Sequence, residues 1–243
     1  MKTVTIILGV FLVGITSMTA QFWGNEKIKG NGEVISKTRN VSDYDEILVA
    51  GNMDVSLVSG KEGELTISGE SNLIPYLLTE VSGGALKIYI EKGYNLRTSL
   101  NENLIVTVPF THLEKVKLSG SGDVYSESTI KTDDFSTSLS GSGEIKLKIE
   151  ASEVFVNVTG SGSIEMQGGT ENLECKLTGS GDLKAYDLTA QKANVSVTGS
   201  GDVKIMVSED LTARVTGSGD IKYKGNPKKE DKKTTGSGDI TSI

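Results

Sequence analysis

In this chain of 243 residues the carboxylates are the side chains best placed to do chemistry, because there is one histidine, His112, and one cysteine, Cys175. Six acids recur in one setting. Asp123, Glu144, Asp182, Asp202, Asp220 and Asp239 each directly follow a Gly-Ser-Gly phrase, and Ser163 holds the seventh such position. Two carboxylates can cleave a glycosidic bond when their surroundings differ enough to make one the acid and the other the base or nucleophile. Here the acids are serial copies in equivalent surroundings, and no copy gathers an extra Asp, His or Arg. A non-enzymatic protein is therefore the leading reading, with polysaccharide cleavage as the alternative.

Stacked carboxylates could also share a calcium ion, with Ca–O distances of about 2.3–2.6 Å. Lys146, Lys184, Lys204 and Lys222 lie two residues beyond the acids on the same face and supply a competing countercharge. A single histidine excludes a multi-histidine centre, so no metal site and no cofactor is assigned. Cys175 falls in a column of Val, Ala and Thr, which suits a buried small residue better than a nucleophile. His112 lies just after Pro109, outside the repeat, and reads as a surface or turn residue.

The elements that carry these residues follow from the repeat. The phrase begins at Gly120, Gly141, Gly160, Gly179, Gly199, Gly217 and Gly236, at spacings of 21, 19, 19, 20, 18 and 19 residues. Its second glycines are Gly122, Gly143, Gly162, Gly181, Gly201, Gly219 and Gly238. Two residues before the first six phrases stand Leu118, Leu139, Val158, Leu177, Val197 and Val215; four after the start of each of the seven stand Val124, Ile145, Ile164, Leu183, Val203, Ile221 and Ile240. Alternate residues are apolar on both sides of the phrase, which is the period of a strand. One such unit cannot bury its inner face alone, whereas units stacked in register bury a continuous column.

The expected fold is therefore all-β, a parallel β-helix of about 19-residue coils rising about 4.8 Å each, so that seven copies make a rod roughly 34 Å long. The alternation points both glycines of each phrase inward, at a bend too tight for a side chain, and makes them structural. It points Ser180, Asp182, Lys184, Ser200, Asp202, Lys204, Ser218, Asp220 and Lys222 outward as a candidate binding ladder.

Upstream, "ILVAGNMDVSLV" repeats the column logic around Gly51 and reads as a first, irregular coil. In "SNLIPYLLTEV", Ser71 is expected to cap a short helix despite Pro75, covering one end of the rod. In the last copy Lys232 and Thr234 replace inner apolar residues, as a polar terminal coil requires.

Residues 1–20 read as a signal peptide, with Lys2 ahead of an apolar run from Val4 to Ile15 that is too short to cross about 30 Å of hydrocarbon. Residues 21–29 read as a tail and 30–243 as one domain, with no membrane span in the mature chain. Removing the signal peptide takes one lysine and no acid, so the formal charge moves from −7 to −8. Such a chain repels phosphate backbones, which argues against a nucleic-acid partner.

The segments "GNGEVISKTRNVSDYDEILVAGNMDVSLV" and "LTISGESNLIPYLLTEVSGGALKIYI", together with the iterated [ST]GSG[DE], resemble the auto-transporter adhesin, head GIN domain family of Bacteroidetes-type bacteria. The resemblance implies an exported location (periplasm, outer surface or extracellular), a right-handed, pectin-lyase-like parallel β-helix, and a role in adhesion. It transfers no catalytic residues. The partner expected on this basis is a surface glycan or protein, held by weak contacts repeated over several rungs. Aromatics make up 5% of the chain, and their scarcity on outward positions counts against strong sugar stacking.

Overall fold

The computed structural model describes residues 25–99 and 103–243, so the signal peptide read at 1–20 lies outside it. The chain begins with β1 (Glu26–Lys29), β2 (Val34–Asn40), β3 (Glu46–Gly51), β4 (Asp54–Ser59) and β5 (Glu64–Glu70). It continues with β6 (Leu77–Ser82), β7 (Ala85–Ile90), β8 (Tyr94–Arg97), β9 (Ile105–Phe110) and β10 (Lys115–Gly120). Part of the expected tail is thus a strand, since β1 pairs in parallel with β8.

The regular coils follow as β11 (Asp123–Gly141), β12 (Glu144–Gly160), β13 (Ser163–Gly179), β14 (Asp182–Gly199) and β15 (Val203–Gly217). Then come β16 (Ile221–Lys224), β17 (Lys229–Gly236) and β18 (Ile240–Ser242). Each of β11 to β15 is almost a whole coil, paired in parallel with its neighbour so that phrase stacks on phrase: Gly120 on Gly141, Gly141 on Gly160, and onward to Gly217 on Gly236. The result is a β-solenoid of about 7 turns at about 19-residue spacing.

Unequal coil lengths are absorbed away from the phrase. Coils of equal length, β12 and β13, pair without a register shift, whereas shifts occur between Tyr125 and Thr129, between Glu165 and Gln167, and between Ala185 and Thr189. Glycine registers are kept because only glycines fit on one another there.

The inner columns are buried as the alternation requires. Val124, Ile145, Ile164, Leu183, Val203 and Ile221 form one continuous column, and Leu118, Leu139, Val158, Leu177, Val197 and Val215 form another. Each such side chain contributes about 1.5–3 kcal/mol of burial. Of the buried polar residues in the regular coils, Ser126, Thr137 and Thr170, the first and last are hydrogen-bonded. The Thr137 hydroxyl sits fully buried between Val116 and Val156 in the stack and has no hydrogen-bond partner among the described residues. Thr137→Val keeps the shape and removes the unpaired group, so it is expected to raise stability by about 1 kcal/mol in denaturant unfolding.

The first coils are not stacked in chain order. β3 lies between β7 and β10, and β4 lies between β9 and β11, so the chain runs beneath its own first coil before crossing to the regular stack. The expected short helix is a single 3-10 turn at Ile74–Tyr76 that has Pro75 within it and no side-chain cap. Ser71 instead donates its hydroxyl to Glu33. The carbonyls of Ile74 and Leu77 are taken up by the guanidinium of Arg39.

At the far end β17 is exposed along its whole length, as its polar inner residues predict. Lys232 there bonds Glu230 at 2.6 Å and the Tyr223 hydroxyl at 2.9 Å, a charged lid on the last apolar layer that also blunts the open strand edge.

Candidate functional site

The repeated phrase forms a bend between two faces of each coil. Its first glycine has φ between 117° and 145° in all seven copies, a region that L side chains rarely adopt. The turned peptide directs the glycine carbonyl at the next coil, where from Gly120 to Gly217 it accepts the N–H of the phrase serine and, in all but the Gly160 copy, that of the following glycine as well. Gly179, for example, accepts from Ser200 N–H at 2.8 Å and Gly201 N–H at 3.2 Å.

A Cβ on the first glycine of any copy would stand 2.0–2.5 Å from the carbonyl oxygen of the glycine beneath it. On the second glycine it would stand 1.9–2.3 Å from the carbonyl oxygen one coil below. The expected inward crowding is also present, as at Gly201, where Leu177 Cδ2 would be 2.7 Å away. The larger obstacle is thus vertical: stacked backbones approach so closely that no Cβ fits between them.

The acid after the phrase is drawn into the same seam. Asp202 N–H donates to the Asp182 carboxylate at 3.0 Å, Asp220 N–H to Asp202 at 2.9 Å, and Asp239 N–H to Asp220 at 3.0 Å. Asp123 and Glu144 likewise donate to the acids beneath them, Asp54 and Asp123. Where the residue below is Glu144 or Ser163 rather than aspartate, the N–H above turns to a glycine carbonyl, from Ser163 to Gly143 at 3.1 Å and from Asp182 to Gly162 at 3.0 Å. Aspartate has the reach for this bond, and it substitutes a side-chain acceptor for a backbone one.

The remaining ladder residues face water. Ser180, Ser200 and Ser218 are exposed, and Lys184, Lys204 and Lys222 stack in register on adjacent coils. Lys146 pairs with Glu144 at 2.7 Å and Lys222 approaches Asp220 at 3.7 Å, so the countercharge is delivered at some coils rather than at all. Burial, and then the proximity of Asp54 and Glu144, hold the Asp123 carboxyl above its ordinary pKa against the opposing bond from Glu144 N–H. Glu144 is held below the usual range, its burial being outweighed by the hydrogen bond and charge of Lys146 and the hydroxyl of Ser163. A calcium ion on this ladder would compete with backbone N–H groups for the same oxygens. Among the described residues no group of three His, Cys, Asp or Glu is arranged to hold a metal ion.

Two carboxylates outside the repeat act as clamps. Glu70, 2% exposed, accepts from the Ser99 hydroxyl and from the N–H groups of Ser99 and Gly32, and the Ser99 hydroxyl does most to lower its pKa. Glu62 accepts from Tyr44 N–H and from both donors of Thr111, which together outweigh its burial and lower its pKa. Cys175 is fully buried and its thiol is pushed up to about 12, which leaves it inert as a nucleophile. His112 lies beside Glu114 at 3.3 Å, between β9 and β10.

One outward residue stands apart from the ladder. Phe155 on β12 is 41% exposed, on the face that leads into the phrase. In its column lie Ser136, Glu174, Asn194 and Thr212, one per coil. A groove of about 330 Å³ runs along one side of the ring, lined by Asn172, Lys192, Asn194 and Asp210 among others. A smaller one of about 130 Å³ lies on the other side, against Asn157 and Lys176. The sequence carried the signal in "EVFVNV": Val154 and Val156 point inward, so the phenylalanine between them must point out.

Fold and site together define a parallel β-solenoid whose phrase glycines stack backbone on backbone and whose outward columns are largely polar. The family model described as "Putative auto-transporter adhesin, head GIN domain" matches residues 43–227, and the chain belongs to that family. Three crystal structures are similar over about nine-tenths of this chain and all of the other. A "putative adhesin" from Bacteroides fragilis is 24% identical over 89% of this chain and 100% of that chain, with a TM-score of 0.80. A "putative lipid binding protein" from Parabacteroides distasonis is 28% identical over 90% and 100%, with a TM-score of 0.75. A "putative adhesin" from the same organism is 25% identical over 90% and 100%, with a TM-score of 0.72. None of the curated proteins compared with the chain matches it.

Proposed function

We propose that this chain is an exported adhesin that holds a surface glycan or protein through outward columns repeated along its solenoid, and that it performs no catalysis. The observation that carries this reading is the equivalence of the coils. Ser, Asp and Lys recur at matching outward positions in register, and no coil gathers an acid, a base and a nucleophile as a catalytic site requires. Family membership supports the adhesive role, and the apolar run at Val4–Ile15 supports export. Among the described residues no helix is long and apolar enough to cross a membrane.

Contacts repeated over several coils add through multivalency, so no single ladder residue is indispensable. The lysines are the cleaner probes of the ladder, because the aspartates also hold backbone. Lys204→Ala is expected to leave adherence to cells within about twofold of the parent, and the triple change of Lys184, Lys204 and Lys222 to alanine is expected to weaken it by about tenfold or more. Plate adherence of the purified mature chain measures both; full loss on the single change would defeat the distributed surface.

A second reading has its own observation. Leu48, Ala50, Tyr89 and Ile90 line a groove of about 430 Å³ flanked by Lys87 and Lys117, a setting suited to an acyl chain with an anionic head. One similar structure bears the description of a lipid-binding protein. Co-sedimentation with anionic but not zwitterionic vesicles, lost on the double change of Lys87 and Lys117 to glutamate, would favour it.

A further inference from the structure

We infer that the face carrying Phe155 binds an uncharged glycan, with the Phe155 ring as the platform on which a sugar stacks. This rests on the adhesive reading and names its ligand and site. The other exposed large hydrophobics are Val34, Ile35, Ile105 and Ile243, all outside the regular coils. Among the described residues of β11 to β15, Phe155 is the one large hydrophobic that is exposed, whereas Tyr125, Tyr186 and Met206 are half-buried. A lone ring amid polar groups is too small for the apolar centre of a protein interface. It is too polar a setting for an acyl chain.

The groups around the ring are those that read hydroxyls. Asn172 and Asn194 line one groove and Asn157 the other, each offering a donor and an acceptor. Two of the neighbours are fixed in place. Asn172 donates to Glu153 at 2.6 Å, and Lys176 pairs with Glu174 at 2.7 Å. Glu153, Glu174, Asp210 and Lys192 line the larger groove and Glu174 and Lys176 the smaller, a mixture with no positive excess to draw a polyanion. The columns rise about 4.8 Å per coil, on the scale of one sugar ring, so an extended glycan lying along the rod meets Phe155 and then a polar side chain at each later coil. An apolar platform with a few placed polar groups is the general composition of a small-molecule site.

Affinity electrophoresis tests this, with mixed-linkage β-glucan, xyloglucan, galactomannan and yeast mannan as neutral probes and polygalacturonate as the acidic one. At least one neutral polysaccharide is expected to retard the mature chain. Phe155→Ala should weaken that binding by about tenfold or more, while Phe155→Trp and His112→Ala, the latter outside the regular coils, retain it. The exposed ring leaves the core intact when truncated, so the alanine variant should keep the parental unfolding midpoint. Retardation by none of the neutral probes, by polygalacturonate alone, or equally with and without the ring overturns the inference. Adherence to cells separates it from the broader reading. Periodate treatment of the cells should abolish adherence; adherence lost to protease but not to periodate overturns the glycan and leaves the adhesin standing, whereas no adherence to any cell removes both.

Discussion

Gly181→Val is expected to prevent native folding or to cost more than about 4 kcal/mol, the scale reserved for a few severe mechanisms. A Cβ at Gly181 would stand 2.3 Å from the carbonyl oxygen of Gly162 and 2.9 Å from Val158 Cγ1. The first of these is backbone held in the stack and cannot move aside. The natural control is Gly169, whose Cβ would meet nothing within 4 Å. Gly169→Ala should change stability by less than about 1 kcal/mol, with a gain from the stiffer unfolded chain as the favoured direction. Its neighbour Gly168 has φ of 120°, and its Cβ would lie 2.0 Å from the Ile149 carbonyl oxygen, so Gly168→Ala should behave like the phrase glycines. Guanidinium unfolding of the variants ranks them; equal midpoints for the Gly181 and Gly169 variants would refute the stacking argument.

The triple change of Asp182, Asp202 and Asp220 to alanine should lower stability by about 3 kcal/mol, roughly 1 kcal/mol for each N–H that loses its acceptor. The donors affected are Asp202, Asp220 and Asp239 N–H, with alanine at the first two retaining the N–H. The corresponding asparagine triple keeps an Oδ1 acceptor at every step and should recover most of the loss. Ser163 and Asp182 N–H find glycine carbonyls where the side-chain acceptor is lacking, so relaxation toward that arrangement sets the lower bound of the effect. Thermal unfolding of both triples measures this. An alanine triple as stable as the parent would mean that the carboxylates serve only the surface.

The solenoid was legible because parallel stacking in register converts a sequence period directly into a spatial one. Each column read from the spacing, such as Val124 to Ile221, is a buried column in space. What remained hidden depends on partners far away in sequence. The placing of β7 and β9 beneath β3 and β4 is a choice of pairing between segments, and no local pattern encodes it. Pro75 and the competing bond from Ser71 to Glu33 reduced the expected helix to one 3-10 turn. The strand at Glu26–Lys29 exists because Tyr94–Arg97 offers it an edge.

Within the candidate site, the alternation gave the outward direction of the acids but not their use. An aspartate that points outward can still bend back to the N–H of the next coil, and only the distance between coils reveals that it does. Phe155 was legible by the same alternation. Scarcity of aromatics in the composition hid it, since an average says nothing of where a single ring stands.

Residue-resolved amide hydrogen exchange of the native chain addresses most directly the claim that the repeated phrase is a hydrogen-bonded seam rather than an open ligand loop. Ser200 and Gly201 N–H bond the Gly179 carbonyl, and Asp202 N–H bonds the Asp182 carboxylate. These amides are expected to exchange as slowly as those of the adjoining strands, and Asp182→Ala should accelerate Asp202 more than Ser200 or Gly201. Fast exchange at all three in the parent chain, beside protected strands, would contradict the account.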